Sequence, residues 1–165
     1  TLACRNSRHL RMDAGPLLEE RWDLVIAHPP CTYLSNSGVR WLHNRIERWK
    51  LMEGACEFFL KCLNANADMI CVENPVMHGY AQNIICRRPS QIVQPWMFGH
   101  GETKATCLWL KGLPCLKPTK LVSGRVKFLN GLGRASGRRG LTGSMTCQGL
   151  ADAMAEQWGI DEGVE

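Results

Sequence analysis

Two short apolar runs in the first half of the chain predict two buried strands. The first run covers residues 23–28 and ends at Pro29-Pro30, and the second covers residues 69–73 and ends at Asn74-Pro75. Because proline has no N–H to donate to a sheet ladder, both strands should end there. Between them, over residues 40–63, apolar residues recur every three or four positions, which predicts one long amphipathic helix. Its apolar positions are Leu42, Ile46, Trp49, Met52, Cys56, Phe59 and Leu63.

A strand, a helix and a strand in this order predict a βαβ unit with two parallel strands. The carboxyl ends of parallel strands lie at the same edge of a sheet, so residues 28–31 should lie beside residues 73–75. In open α/β sheets, ligands bind in the crevice beyond these strand ends. The pattern therefore predicts a functional site built from the two loops.

The second half of the chain predicts four further elements. We expect a shorter helix over about residues 77–86 and a closing helix over about residues 148–158, with Gly159 as its stop. Residues 91–98 and 105–110 are expected to form an antiparallel strand pair at one edge of the sheet. Together the elements predict an α/β fold with a mostly parallel sheet and an antiparallel edge pair.

Composition limits the class of protein. A chain of 165 residues that is 45% hydrophobic is long enough for one domain, which we expect to cover residues 1–165. It contains no run of about 18 apolar residues, and residues 1–11 are polar and basic, so neither a membrane span nor a secretory signal is expected. We therefore expect a cytoplasmic protein.

The nine cysteines predict free thiols rather than a disulfide framework. Their number is odd, and those at positions 56, 62, 71 and 107 lie in hydrophobic segments, where a thiol packs as a small apolar side chain. No C-x-x-C pair is present, so a metal site is not expected, although separated Cys and His ligands could still converge.

Basic residues concentrate late in the chain. The formal net charge is +5, and seven Lys and Arg residues lie between Lys117 and Arg139 in a stretch rich in Gly and Ser. This predicts a basic surface loop over about residues 117–145, which either contacts phosphates or is simply solvated. The candidate nucleic-acid contacts are Arg125, Lys127, Arg134, Arg138 and Arg139.

The two predicted loops carry a thiol and a carboxyl group. Cys31 follows the end of the first strand, where exposed backbone N–H groups favour the thiolate that acts as a nucleophile. Glu73 ends the neighbouring strand, and a carboxylic acid kept protonated in a semi-dry site can donate its proton. We interpret Cys31 as the candidate nucleophile and Glu73 as the candidate acid. The structural alternatives are a thiol buried in a Pro-rich turn and a carboxylate that caps the next helix.

Residues 29–38 resemble the nucleophile motif of DNA cytosine-C5 methyltransferases. They read Pro-Pro-Cys-Thr-Tyr-Leu-Ser-Asn-Ser-Gly and match Pro-Pro-Cys-x-x-(Phe/Leu)-Ser-x-x-Gly at every anchor. Residues 72–75, Val-Glu-Asn-Pro, are similar to the family's Glu-Asn-Val motif. The pattern around residues 94–98 and 102–106 resembles a compact branch associated with phages and prophages. The resemblance covers about residues 9–111 and the closing helix.

This resemblance implies a partial Rossmann-like class I methyltransferase fold that transfers a methyl group from S-adenosylmethionine to cytosine. Cys31 would attack C6 of a base removed from its duplex stack, and Glu73 would protonate N3. DNA is the implied partner. The implied substrate-binding residues are Pro30, Ser35, Asn74, Lys104 and Thr106, and the implied donor-binding residues are Asp13 and Pro29.

The chain also departs from that family. The first strand and the Gly-rich donor loop, Phe-x-Gly-x-Gly-Gly, are missing, because the sequence begins near the family's third strand. A second chain or a homo-oligomer would then complete the donor site. A non-catalytic nucleic-acid-binding remnant and a zinc-binding module remain open alternatives. His28 and Cys31 stand where amino-methyltransferases have a polar and an aromatic residue, and His28 is expected to be structural.

Overall fold

The computed structural model of the protein describes residues 10–124, 126–127 and 146–159. It contains three α-helices and six strands within these ranges. In chain order they are β1 (Trp22–Ala27), α1 (Glu47–Leu63), β2 (Ala67–Pro75), α2 (Gly79–Ile85), β3 (Gln91–Val93), β4 (Glu102–Thr103), β5 (Thr106–Lys111), β6 (Val126–Lys127) and α3 (Gln148–Trp158).

Four strands form a mixed sheet in the order β1-β2-β5-β3, and β4 pairs with β6 in a separate two-stranded ladder. β1 and β2 are parallel and joined through α1, so the predicted βαβ unit is confirmed. β5 is antiparallel to both β2 and β3. The antiparallel edge pair is therefore confirmed, and the α/β class with it.

The prediction of a mostly parallel sheet is wrong, because only one of the three strand pairings in this sheet is parallel. Parallel neighbours need a crossover of about a dozen residues or more, usually a helix. The connection between β3 and β5 contains no α-helix, and β5 runs back antiparallel between β2 and β3. It follows that β1, β2 and β3 point in the same direction.

The first helix is shorter than the sequence predicts. α1 begins at Glu47, whereas Val39–Trp41 form a 3-10 turn and the residues after it form further turns. Ile46 fits the helical period, yet its side chain is 87% exposed. Asn44 lies just before the helix, and asparagine hydrogen-bonds locally in turns more readily than it enters a helix. The periodic pattern therefore extends beyond the helix that it predicts.

The strand predicted over residues 91–98 ends after β3. Pro95 begins a 3-10 turn over Pro95–Met97, because proline fixes φ and cannot donate to a ladder. At the next turn, Gly99 has a φ of +88°, a backbone conformation that glycine adopts without strain. The chain then reaches β5.

Apolar side chains pack on both faces of the sheet. α1 contributes Met52, Cys56, Phe59 and Cys62 to the first cluster, in which the Phe59 ring meets Trp109 edge-on at 4.9 Å between centroids. Leu150, Met154 and Trp158 of α3 lie in the second cluster together with Cys71 and Leu108. The longest helix has 17 residues, and in the described part of the chain no helix is both long enough and apolar enough to cross a membrane.

Candidate active site

The two strand-end loops meet, as the βαβ pattern predicts. Ala27 of β1 pairs with Val72 of β2, so the next residues in register are His28 and Glu73. His28 Nδ1 lies 2.9 Å from Glu73 Oε2. On the other face, Asn74 donates its side-chain N–H to the carbonyl of Pro29 at 2.9 Å. Two hydrogen bonds therefore join the loop of Cys31 to the end of β2.

The Cys31 loop is a tight turn with a buried anchor. The carbonyl of Cys31 accepts the backbone N–H groups of Leu34 and Ser35, each at 3.0 Å. Leu34 is fully buried in the first core cluster, whereas the Cys31 side chain remains partly exposed. The loop is thus held by its interior side chain while its thiol stays accessible.

His78 fixes the same loop to the start of α2. Its Nδ1 accepts the backbone N–H of Ala81 at 3.2 Å, so its Nε2 carries the proton and donates to the carbonyl of Tyr33 at 2.8 Å. The ring is 2% exposed. Because His78 caps α2, the alternative in which Glu73 caps that helix is wrong.

Gly38 ends the loop at a point with no space for a side chain. A Cβ added there would lie 2.7 Å from the carbonyl oxygen of Thr32, next to Cys31. We expect Gly38→Ala to lower the free energy of unfolding by about 1–3 kcal/mol, because backbone must shift to relieve the contact. Urea denaturation measures this change.

Gly54 provides the control for Gly38→Ala. It lies inside α1 with no atom within 4 Å of an added Cβ. Gly54→Ala is expected to raise the free energy of unfolding by about 0.5–1 kcal/mol. Equal effects of the two substitutions would contradict the tight packing of the loop.

Glu73 lines a small cleft on the α3 side of the sheet. Its side chain is 12% exposed, and Oε1 has no hydrogen-bond partner among the described residues. Lys104 and Thr106, both implied substrate-binding residues, line the same cleft. Cys147 and Leu150 close it from the start of α3. The cleft encloses about 30 Å³, room for about two water molecules.

His28 contacts the candidate acid, a position that the sequence interpretation missed. Its side chain is 44% exposed and its Nδ1 hydrogen-bonds to Glu73, a contact that is compatible with the structural role expected for it. The signal was present in the pattern, because parallel strands that end together place their last residues side by side. What the pattern lacked was the register that pairs position 28 with position 73.

The remaining candidates lie in different surroundings. Ser35 is 7% exposed and its hydroxyl bonds to Ser37 at 2.8 Å, so it does not reach the cleft. Pro30 is exposed beside Cys31. Asp13 is exposed and accepts the backbone N–H of Gly15 at 3.0 Å. Pro29 lines an apolar groove of about 410 Å³ beside β1.

The predicted nucleic-acid contacts of the basic loop lie almost entirely outside the described residues. Of the five, only Lys127 is described, and only its backbone, which lies in β6 and pairs with Thr103 of β4. Arg125, Arg134, Arg138 and Arg139 lie outside the described ranges. The start of the predicted loop is attached to the fold, since the backbone N–H of Lys120 donates to the carbonyl of Met97 at 3.1 Å.

Burial separates the structural thiols from Cys31. Burial, together with the nearby charge of Glu73, raises the pKa of Cys71 to about 12. Burial likewise raises the pKa of Cys56 and of Cys62 to about 11. Thiols with such pKa values stay protonated near neutral pH and are poor nucleophiles. The prediction that these cysteines pack as apolar side chains is confirmed.

Cys147 is a second thiol near the candidate acid. Burial raises its pKa, while backbone N–H groups at the start of α3 and the charge of Lys104 act in the opposite direction. Its place in the cleft makes it the main rival to Cys31 as a reactive thiol.

Among the described residues, no group of three or more His, Cys, Asp and Glu side chains could hold a metal ion.

In this geometry the Asn74 side chain binds the Cys31 loop and not a ligand. It is 1% exposed, and its amide donates to the carbonyl of Pro29. We expect Asn74→Asp to lower the free energy of unfolding by about 1–3 kcal/mol, because a carboxylate oxygen would face that carbonyl without a proton to share. Thermal or urea denaturation gives the value.

A matched substitution is available for Asn74→Asp. Asn44 is exposed and its side chain makes no hydrogen bond with the described residues, so Asn44→Asp should change stability by less than about 0.5 kcal/mol. A comparable loss in both variants would point to the added charge, not to the bond with Pro29.

Comparison with known proteins gives no relative from which a function could be transferred. No protein-family model matches the chain, and no curated protein matches it. The function of the chain is therefore inferred from its residues and their geometry.

Proposed function

We propose that the protein acts on cytosine in DNA as a cytosine-C5 methyltransferase-like protein, with Cys31 as the nucleophile and Glu73 as the acid. The observation that carries this proposal is the contact between the two strand-end loops, where His28 Nδ1 lies 2.9 Å from Glu73 Oε2. This contact ties the loop that carries the partly exposed thiol of Cys31 to the residue that carries the carboxyl group, although Cys31 itself does not line the Glu73 cleft.

In the proposed reaction, the thiolate of Cys31 forms a bond to C6 as the C5–C6 π bond breaks. The electron pair spreads over C5, C4 and N3, and a proton from Oε1 of Glu73 neutralises it at N3. Oε2 keeps its hydrogen bond to His28 throughout, which stabilises the carboxylate left behind. The adduct then has the electron-rich C5 that a methylation requires.

Three features of the chain support this reaction. Residues 29–38 resemble the nucleophile motif of DNA cytosine-C5 methyltransferases, and residues 72–75 are similar to their Glu-Asn-Val motif. Lys104 and Thr106, which that resemblance assigns to substrate binding, lie in the cleft of Glu73. The partial Rossmann-like class I fold remains part of the proposal, resting on the βαβ unit and the site at its strand ends.

S-adenosylmethionine is the methyl donor that the resemblance implies, but the described residues do not fit it. The groove beside Pro29 is lined mainly by apolar side chains, with His28 as its only titratable side chain other than Cys62. Asp13, the implied acidic contact, does not line this groove, and its Oδ1 is taken by Gly15. We therefore derive no step through the donor, and we propose that a second chain or a second copy supplies the donor-binding residues that the described part of the chain lacks.

The same observations favour a second candidate function, a non-catalytic nucleic-acid-binding remnant of such an enzyme. The 30 Å³ cleft beside Glu73 is too small for a pyrimidine ring unless Lys104 or the start of α3 moves. A remnant would keep the crevice and bind DNA without forming a covalent bond.

Two cytosine analogues in short duplexes test the proposal. A 5-azacytosine duplex forms an adduct once Cys31 attacks C6 and Glu73 protonates the ring at N3, and this adduct needs no methyl group, so we expect a covalent band with no donor present. A 5-fluorocytosine duplex is stably trapped only after transfer of a methyl group, so it is incubated with S-adenosylmethionine. Denaturing gels and mass spectrometry report both products.

The outcomes separate the two candidate functions. Adducts with both analogues support the complete methyltransferase. An adduct with 5-azacytosine alone supports the nucleophile and the acid and places the donor site outside this chain. No adduct with either analogue, under conditions where the duplex is bound, overturns the enzymatic proposal and leaves the remnant.

A further inference from the structure

A surface beside the Cys31 loop carries two arginines held against one exposed tryptophan. Arg40 lies 4.7 Å and Arg45 lies 5.9 Å from the centroid of the Trp41 ring, and Trp41 is 40% exposed. Both arginines are exposed. Cation–π contacts of this kind hold a guanidinium in place while its N–H groups remain free for another partner.

The start of α2 extends this surface with a second exposed aromatic ring. Tyr80 is 40% exposed and packs edge-on against Trp49 at 4.9 Å and against His43 at 5.7 Å between centroids. Its hydroxyl lies 3.4 Å from Nε2 of His43. We call Arg40, Trp41, His43, Arg45 and Tyr80 together the arginine–aromatic patch.

The patch is continuous with the candidate active site. The backbone N–H of Trp41 donates to the carbonyl of Gly38 at 3.1 Å, and Gly38 packs on the carbonyl of Thr32, next to Cys31. Arg48 lies 4.7 Å from the centroid of the Tyr33 ring. A polymer lying across the patch would therefore lie close to the backbone of the Cys31 loop.

The charge of this surface indicates an anionic partner. Residues 39–50 contain Arg40, Arg45, Arg48 and Lys50 against a single acid, Glu47, a net charge of +3 from four positive groups and one negative. None of the four makes an ion pair with another described residue. Cations that the fold leaves uncompensated beside aromatic rings are typical of nucleic-acid-binding surfaces.

We propose that the arginine–aromatic patch binds the phosphate backbone of the DNA whose cytosine reaches Cys31, with Trp41 orienting Arg40 and Arg45 toward two phosphates. This inference rests on the proposed function for the identity of its ligand and names the surface that holds it. It places DNA binding on residues 39–50 and the start of α2, residues other than the basic ones that the sequence predicts for this role.

Salt-dependent DNA binding tests the proposal independently of any chemistry. All proteins carry Cys31→Ser, and the probes are a 20-base-pair duplex and one of its single strands. Arg40→Gln/Arg45→Gln should reduce the slope of log affinity against log salt by about 1.8 on the duplex and about 1.4 on the single strand, for two lost phosphate contacts. Affinity at low salt should fall about 10-fold or more.

Arg87→Gln/Arg88→Gln is the matched control. It removes the same two charges from exposed arginines that follow α2, beside Leu63 and Lys111 at the opposite end of the sheet. It should change the slope by less than half as much.

Trp41→Ala should weaken binding, and Trp41→Phe should restore part of it because a ring still supports the guanidinium groups. Thermal unfolding checks that each variant is folded.

The proposal is overturned if the control pair loses as much affinity as the patch pair, or if the duplex does not bind. A polyglutamate peptide that competes with DNA at equal affinity would assign the surface to an acidic protein instead. Patch-dependent binding without any 5-azacytosine adduct refutes the catalytic proposal alone. A 5-azacytosine adduct that forms equally fast when the patch substitutions are made in protein that retains Cys31 refutes this inference alone.

Discussion

Cys31→Ser is expected to lower the yield of the 5-azacytosine adduct by more than about 10⁴-fold, below detection. A serine hydroxyl is almost entirely protonated near neutral pH, so it offers no anion to attack C6, whereas a thiol supplies a usable fraction of thiolate. The Cys31 side chain is partly exposed and makes no hydrogen bond with the described residues, so the substitution should leave the fold intact. Mass spectrometry of the trapped peptide identifies the attached residue.

Two other serine substitutions make the result specific. Cys147 lies in the cleft of Glu73, and Cys86 is exposed near the end of α2. Both Cys147→Ser and Cys86→Ser should form the adduct at nearly the wild-type rate. If Cys147→Ser loses the adduct and Cys31→Ser retains it, the nucleophile is Cys147 and our assignment of Cys31 is wrong.

The position of the site could be predicted from the sequence because it depends on local signals. Each of the two apolar runs leads into prolines, and the helical pattern between them requires a crossover connection. These facts alone place residues 28–31 beside residues 73–75. The hydrogen bond between Asn74 and Pro29 is a direct consequence of that adjacency.

The arrangement of the sheet could not be predicted in the same way. Hydrophobic periodicity reports which side chains are buried, and it does not report which strand lies next to which. The central position of β5 depends on its pairing with β2 over six residue pairs, between segments about 35 positions apart. The prediction of where α1 begins failed for a related reason, because Ile46 continues the helical pattern although no other side chain covers it.

The environment of Glu73, the candidate acid, also could not be predicted from the sequence. Cys147 and Leu150 close the Glu73 cleft from a helix more than 70 positions away, where the backbone N–H of Gly149 donates to Nε2 of His100 at 3.1 Å. That contact fixes the start of α3 against the turn that follows β3. No local pattern around residue 73 contains this information, and it determines how much space a base has beside the acid.

Glu73→Gln is expected to slow adduct formation by about 10²- to 10⁴-fold, the range in which a positioned acid contributes to a reaction. Glutamine has the same shape and can still donate a hydrogen bond to N3, but it cannot give up the proton that neutralises the ring. DNA binding should be unchanged, which separates a loss of chemistry from a loss of affinity. Single-turnover rates with 5-azacytosine DNA in excess measure the effect.

Glu102→Gln is the matched control, because Glu102 lines the same cleft and loses the same charge. It should react within a few-fold of wild type. Slowing of equal size in both variants would show that the charge of the cleft, and not a proton from residue 73, drives the reaction. If the Glu73→Gln protein forms the adduct as fast as wild type, Glu73 is not the acid that protonates the ring.

The same reasoning predicts an effect on the rate for His28, because this residue hydrogen-bonds to the acid. We expect His28→Ala to slow adduct formation by about 10- to 100-fold, because a misplaced carboxyl group no longer meets N3 in the right geometry. His28→Asn should recover much of the rate, since its amide nitrogen occupies nearly the place of Nδ1 and can donate to Oε2. In a Glu73→Gln background, His28→Ala should add little, because the two side chains then no longer act together. Independent, multiplicative effects in that double variant would mean that His28 serves the loop and not the acid.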